Sequence, residues 1–188
     1  MHQSPTARQH QPILEASRQI GFSMNVDELT GSLLRTLARS KPAGRFLELG
    51  TGTGLSTAWI LEGMDADSSL ISIENDSACV AVARQFLGND ARLDLRCEDA
   101  DAWLKSNQKS FDFIFADTWA GKYRLLDEAL AFLKKGGVYV VDDLLPQPNW
   151  PEGHHLKAKA LLRDLTQRVD LQVTALEWST GILIATKL

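Results

Sequence analysis

The run Phe46-Leu47-Glu48-Leu49-Gly50-Thr51-Gly52-Thr53-Gly54 passes from apolar residues into alternating glycines. Glycines at 50, 52 and 54 admit positive φ and remove the side chains that would hold a ligand off the main chain. The amides opening the next helix then face that ligand. A dinucleotide fingerprint needs a glycine three places after its second one, and Leu55 stands there instead. No lysine follows the glycines as a triphosphate loop requires. About twenty residues on, Leu70-Ile71-Ser72-Ile73-Glu74 ends in an acid placed to hold two ribose hydroxyls. Cys97-Glu98-Asp99-Ala100 ends a third segment and offers Asp99 to a base. The pattern predicts a nucleoside pocket, with Glu48 and Ser56 on either side of the glycine turn.

A second group is carboxylic. Asp117 closes Phe111-Asp112-Phe113-Ile114-Phe115-Ala116-Asp117, and Asp142-Asp143 closes Gly137-Val138-Tyr139-Val140-Val141. In a parallel sheet these ends are neighbours at the crevice where ligands bind. Three converging carboxylates with no lysine among them repel. A hard divalent cation such as Mg²⁺ removes that repulsion and lowers the pKa of a bound oxygen. Lys122, beside Gly121 and Tyr123, is a candidate catalytic or substrate-orienting group. The loop from Leu144 to His155 carries three prolines, which restrict its backbone and suit a rim over the crevice. Trp150 in it would wall an apolar or aromatic acceptor, while His154 and His155 read as surface histidines. Trp59, Trp103 and Trp178 read as core residues.

These groups need a scaffold that brings strand ends together. Apolar segments near 45–49, 70–74, 92–97, 111–116 and 137–142 alternate with helical ones, which predicts an α/β, Rossmann-like, doubly wound and mostly parallel sheet with helices on both faces. Two further strands at 171–177 and 182–186, joined by Ser179-Thr180-Gly181, form a C-terminal antiparallel hairpin and bring the sheet to seven strands. Helices are expected at 13–20, at 27–39 from the spacing Leu29, Leu33, Leu34, Leu37, and at 154–168. Residues 1–12 read as a flexible tail and 13–188 as one domain.

Composition narrows the function classes. With 188 residues and 44% hydrophobic content, one covered sheet fits the chain. The net charge of −4 opposes general attraction to nucleic acid. Residues 61–120 hold 12 acids against 5 bases, which suits a cationic ligand. Cys79 and Cys97 make neither a disulfide framework nor a zinc spacing. Lacking a signal-like apolar core and any membrane-length apolar run, the chain reads as cytoplasmic with no membrane partner.

Taken together, Met24-Asn25-Val26, the glycine motif, Phe111 to Trp119 and Gly136 to Asp143 resemble the class I S-adenosylmethionine-dependent methyltransferases. Within these, the chain is similar to the small cation-dependent O-methyltransferases of the catechol and caffeoyl-CoA kind, over about residues 20–145. The resemblance implies S-adenosylmethionine as cofactor, held by Met24, Val26, Glu48, Gly50, Gly52, Gly54, Ser56, Glu74, Asp99, Asp117 and Trp119, with Trp119 beside the adenine. It implies a small hydroxylated substrate, Asp117 and Lys122 as catalytic groups, and a divalent cation on Asp117, Asp142 and Asp143. Such enzymes often pair, which implies a homodimer through the segment before residue 25 or the final hairpin. Two departures are plain. The family places an asparagine where this chain has Asp143, and a lysine where it has Ala120. A tRNA methyltransferase, a nicotinamide-dependent oxidoreductase and a noncatalytic cofactor-binding module are the alternatives.

Overall fold

The computed structural model describes residues 7–148 and 150–188. Seven strands form one sheet: β1 (Arg45–Leu49), β2 (Ser69–Glu74), β3 (Leu93–Cys97), β4 (Phe111–Ala116), β5 (Leu133–Val141), β6 (Leu171–Leu176) and β7 (Ile182–Lys187). Their order across the sheet is β3-β2-β1-β4-β5-β7-β6. The first five strands pair in parallel, and β7 lies antiparallel between β5 and β6. The seven-stranded sheet with its C-terminal hairpin is thus as the alternation of segments predicts. The chain reverses its direction of travel between β1 and β4, which makes their carboxyl ends the crevice of the sheet.

Helices cover both faces: α1 (His10–Gln19), α2 (Glu28–Arg39), α3 (Leu55–Gly63), α4 (Ser77–Leu87), α5 (Ala100–Ser106), α6 (Leu126–Ala131) and α7 (His154–Gln167). One core packs Leu47, Leu49, Ile114, Tyr139 and Leu183 against α5, α6 and α7, and the other packs Phe46, Phe113, Phe115 and Val140 against α1, α2 and α3. Strand β3 is only partly covered, as an edge strand must be. The apolar run Ile182-Leu183-Ile184-Ala185 is interior, with Leu183 and Ala185 fully buried, so core packing accounts for it.

Several boundaries differ from expectation. The first helix begins at His10, so residues 10–12 are not tail; Ala7 and His10 are buried against the domain. Residues 1–6 of that expected tail lie outside the described residues. Strand β5 starts at Leu133, across a register irregularity opposite Phe111, and stops one residue before Asp142. Asp27 precedes α2 as its cap, its Oδ1 accepting from the amides of Leu29 and Thr30 at 2.7 and 3.0 Å. Among the described residues no helix is long and apolar enough to cross a membrane.

Candidate functional site

The turn after β1 is shaped by contacts that exclude a Cβ. Gly50 has φ +96°, and a Cβ there would stand 3.0 Å from the carbonyl oxygen of Asp117. Gly52 has φ +53°, and its Cβ would meet the ring of Phe22 at 2.9 Å. Gly54 is also left-handed and leads into α3. Beneath the turn, Glu48 is fully buried and its Oε2 accepts from the hydroxyls of Thr57 and Ser72, each at 2.5 Å. Burial pushes the Glu48 carboxyl up to about 7, against the opposing pull of the Ser56, Ser72 and Thr57 hydroxyls.

A narrow crevice gathers Gly50, Ile73, Glu74, Asp99, Thr118 and Ala120 at the carboxyl ends of β1, β2 and β3. Glu74 braces the glycine turn: its Oε2 accepts from the Gly52 amide at 2.9 Å, and its Oε1 from the amides of Asn75 and Asp76. Asp99 gives one oxygen to the amide of Ala102 as the cap of α5 and stands exposed at the crevice wall. Arg124 and Asp101, paired at 2.7 Å, close the rim.

Trp119, expected beside the adenine, is 40% exposed. It does not line this crevice, where its neighbours Thr118 and Ala120 do; its ring packs edge-on against Tyr123 at 5.8 Å. Of the segment ahead of β1, Val26 is buried and Met24 is exposed. Between them Asn25 accepts from the hydroxyl of Thr53 in the glycine turn at 2.8 Å. That contact ties the segment to the loop, and its only trace in the sequence is an amide flanked by apolar residues.

A buried lysine lies at the ends of β4 and β5. Lys122 is 4% exposed, and its Nζ donates to the backbone carbonyl of Asp142 at 2.5 Å. Burial raises the Asp117 carboxyl well above the usual range, and Asp142 adds to the rise while Lys122 opposes it. Burial likewise raises Asp142, whose Oδ1 accepts from the Thr180 hydroxyl and from the Asp143 amide. Asp143 sits at φ +57°. These residues do not fit a divalent centre. An ammonium is held on Asp142, one oxygen of its carboxylate is committed, and among the described residues no three His, Cys, Asp or Glu side chains form a ligand group. The expected metal set of Asp117, Asp142 and Asp143 is therefore not seen as a ligand group among the described residues.

Beside them lies an aromatic cluster that the sequence only hinted at. His154, expected at the surface, is 8% exposed at the start of α7. Its Nε2 lies 3.3 Å from the Tyr123 hydroxyl, and Trp150, Tyr123 and Trp119 surround its ring at 4.6, 5.2 and 6.0 Å. The Lys157 ammonium stands 4.1 Å from the Trp119 ring centre. Burial lowers the His154 pKa and Lys122 lowers it further, which favours neutral imidazole at neutral pH. His155 is exposed, as expected.

A family model described as a methyltransferase domain matches residues 47–144, more than half of the chain. The chain belongs to this methyltransferase family. A provisionally named O-methyltransferase of Mycobacterium sp. (strain KMS) is 30% identical over 139 residues, 69% of this chain and 63% of that protein. Catechol O-methyltransferase B of Danio rerio is 27% identical over 135 residues, 66% of this chain and 51% of its own length. The matched chain thus spans less than two thirds of these curated relatives. An O-methyltransferase from Streptomyces achromogenes involved in tomaymycin synthesis, solved in complex with S-adenosylmethionine, shares the fold. It has a TM-score of 0.82 at 22% identity, covering 97% of this chain and 91% of that one.

In this chain the buried Glu48 predicts a pH-dependent stability. Its folded pKa of about 7 lies above the ordinary 4.5, so the native state holds the proton more tightly than the unfolded chain. Stability on this account falls as pH rises between those values and stays reduced above them. Glu48→Gln should therefore stabilise the fold at about pH 8 by on the order of 1–3 kcal/mol, a gain that vanishes below about pH 4.5. Urea unfolding at the two pH values reads the difference. An equal midpoint shift at both would reject the elevated carboxyl.

Proposed function

We propose that this chain is an S-adenosylmethionine-dependent methyltransferase acting on an oxygen of a small hydroxylated acceptor with an aromatic or apolar body. The observation that carries the reading is the crevice that joins Gly50, Glu74 and Asp99 at adjacent strand ends. Glu74 would take the ribose hydroxyls, Asp99 and Thr118 would flank the adenine, and the glycine turn with Asn25 and Val26 would face the methionine half. Asp117, at the junction of the two regions, would lie near the sulfonium, where a carboxylate attracts positive charge. The exposed face of Trp119, with Trp150 and Tyr123, supports an aromatic acceptor.

The acceptor oxygen attacks the methyl carbon in line, forming the O–C bond as the C–S pair returns to sulfur and leaves a neutral thioether. The acceptor's proton must leave with that attack. In our reading it passes to the Tyr123 oxygen while Tyr123 gives its own proton to His154 Nε2. Burial pushes the Tyr123 hydroxyl up to about 12, which keeps it neutral and able to relay. The divalent cation named from sequence supplies no step here.

Calorimetry with S-adenosylhomocysteine and with NAD tests the cofactor, and methyl transfer from labelled cofactor into small molecules of a cell extract tests the reaction. Binding of NAD alone would return the chain to the oxidoreductase alternative. Label in tRNA instead of small molecules would displace the small acceptor. We also read residues 10–188, the expected domain with its start moved to the first helix, as one catalytic domain, cytoplasmic and paired as a homodimer. Exposed Ile20 and Met24 after α1 and Leu29 in α2 support the pairing; a concentration-independent monomer mass in light scattering would remove it.

A further inference from the structure

The carboxyl ends of β4 and β5 already contain a cation, and it belongs to the chain. Lys122 reaches them from a turn with little freedom. The amides of Tyr123 and Arg124 both donate to the Trp119 carbonyl, at 2.8 and 2.9 Å. Gly121 in the same turn has φ +72°, and a Cβ there would stand 2.4 Å from Leu49 Cδ1. The hydroxyl of Tyr139, a residue wholly buried in β5, donates to the Gly121 carbonyl at 2.5 Å. The lysine is therefore positioned by the core of the sheet, with its ammonium on the Asp142 carbonyl and the Asp117 carboxylate in its field.

We propose that the Lys122 ammonium takes the charge-neutralising place among Asp117, Asp142 and Asp143, so that the enzyme works without a divalent cation. The inference deepens the methyltransferase reading and rests on it for the catalytic part. Its electrostatic logic is simple: three carboxylates with no internal cation attract a hard divalent ion, whereas the same group with a fixed ammonium has lost a unit of charge and one carbonyl ligand.

Manganese binding followed by electron paramagnetic resonance tests this on the full chain, without cofactor or acceptor. The wild-type protein should show no Mn²⁺ binding tighter than about millimolar. Lys122→Met should gain at least about tenfold in Mn²⁺ affinity as the carboxylates lose their counterion. Lys122→Gln keeps a donor for the Asp142 carbonyl and serves if the methionine variant does not fold; it should gain likewise. Methyl transfer by the wild type should persist in excess EDTA. Micromolar Mn²⁺ binding by the wild type, or activity lost to EDTA and restored by Mg²⁺, would overturn the proposal. Absence of S-adenosylhomocysteine binding would instead defeat the methyltransferase reading and leave the manganese results standing.

Discussion

Glutamine in place of His154 is expected to slow methyl transfer by about 10²- to 10⁴-fold, the range lost when a positioned proton acceptor is removed. Affinity for S-adenosylhomocysteine should change little, since His154 packs with Trp119, Tyr123 and Trp150 away from the glycine turn. The pH profile carries the sharper test. Burial and Lys122 hold the imidazole below its ordinary 6.5, so the neutral form is populated above that value. Wild-type turnover should fall as pH drops through the lowered pKa, and that acidic limb should disappear in the variant. Tyr123→Phe should cost nearly as much, and the double variant little more, because two members of one relay do not act additively. Full turnover in both single variants would move the base to Asp117, which Asp117→Asn then tests.

The parts of the site that lie on strand ends were legible because strand patterns are local. An apolar run, a glycine turn and an acid about twenty residues later place Gly50 and Glu74 with no knowledge of packing. What stayed hidden depends on contacts between distant segments. Lys122 follows Asp117 by five residues, two more than the resembled enzymes would suggest, and nothing in that spacing reveals that Tyr139 holds the turn from eighteen residues away. His154 reads as a surface residue because its neighbours His155 and Leu156 are indeed exposed. Its burial comes from Tyr123, 31 residues earlier in the chain, and from Trp150 in the preceding loop.

The same distinction explains the aspartates. Their convergence follows from strand order, which sequence alternation predicts. Whether a converging group binds metal depends on what else enters it. Here a lysine and the Thr180 hydroxyl of the final hairpin enter together. The hairpin is thus more than an edge of the sheet: its turn delivers a donor to the carboxylate of Asp142, the residue whose backbone carbonyl accepts from Lys122. A reading that assigns ligands from carboxylates alone counts the charges at the ends of β4 and β5 and omits the two donors that bond Asp142.

Loss of the Glu74 side chain should weaken S-adenosylhomocysteine binding by about ten- to a hundredfold, the cost of a hydrogen bond made by a charged group, roughly 1.5–3 kcal/mol. Two effects contribute, and a second variant separates them. Glu74→Ala removes the proposed ribose acceptor and also releases the amides of Gly52, Asn75 and Asp76. Glu74→Gln keeps one carbonyl oxygen for the loop and loses the charge and one acceptor. If the carboxylate holds ribose directly, the glutamine variant should lose at least half of the binding energy that alanine loses. If Glu74 acts only by bracing the turn toward Gly52, glutamine should bind nearly as the wild type does. Calorimetry on both variants, with folding checked by circular dichroism, decides between these outcomes. Wild-type affinity in a folded Glu74→Ala protein would remove this residue from the pocket and leave the glycine turn without the acid that makes it a nucleoside site.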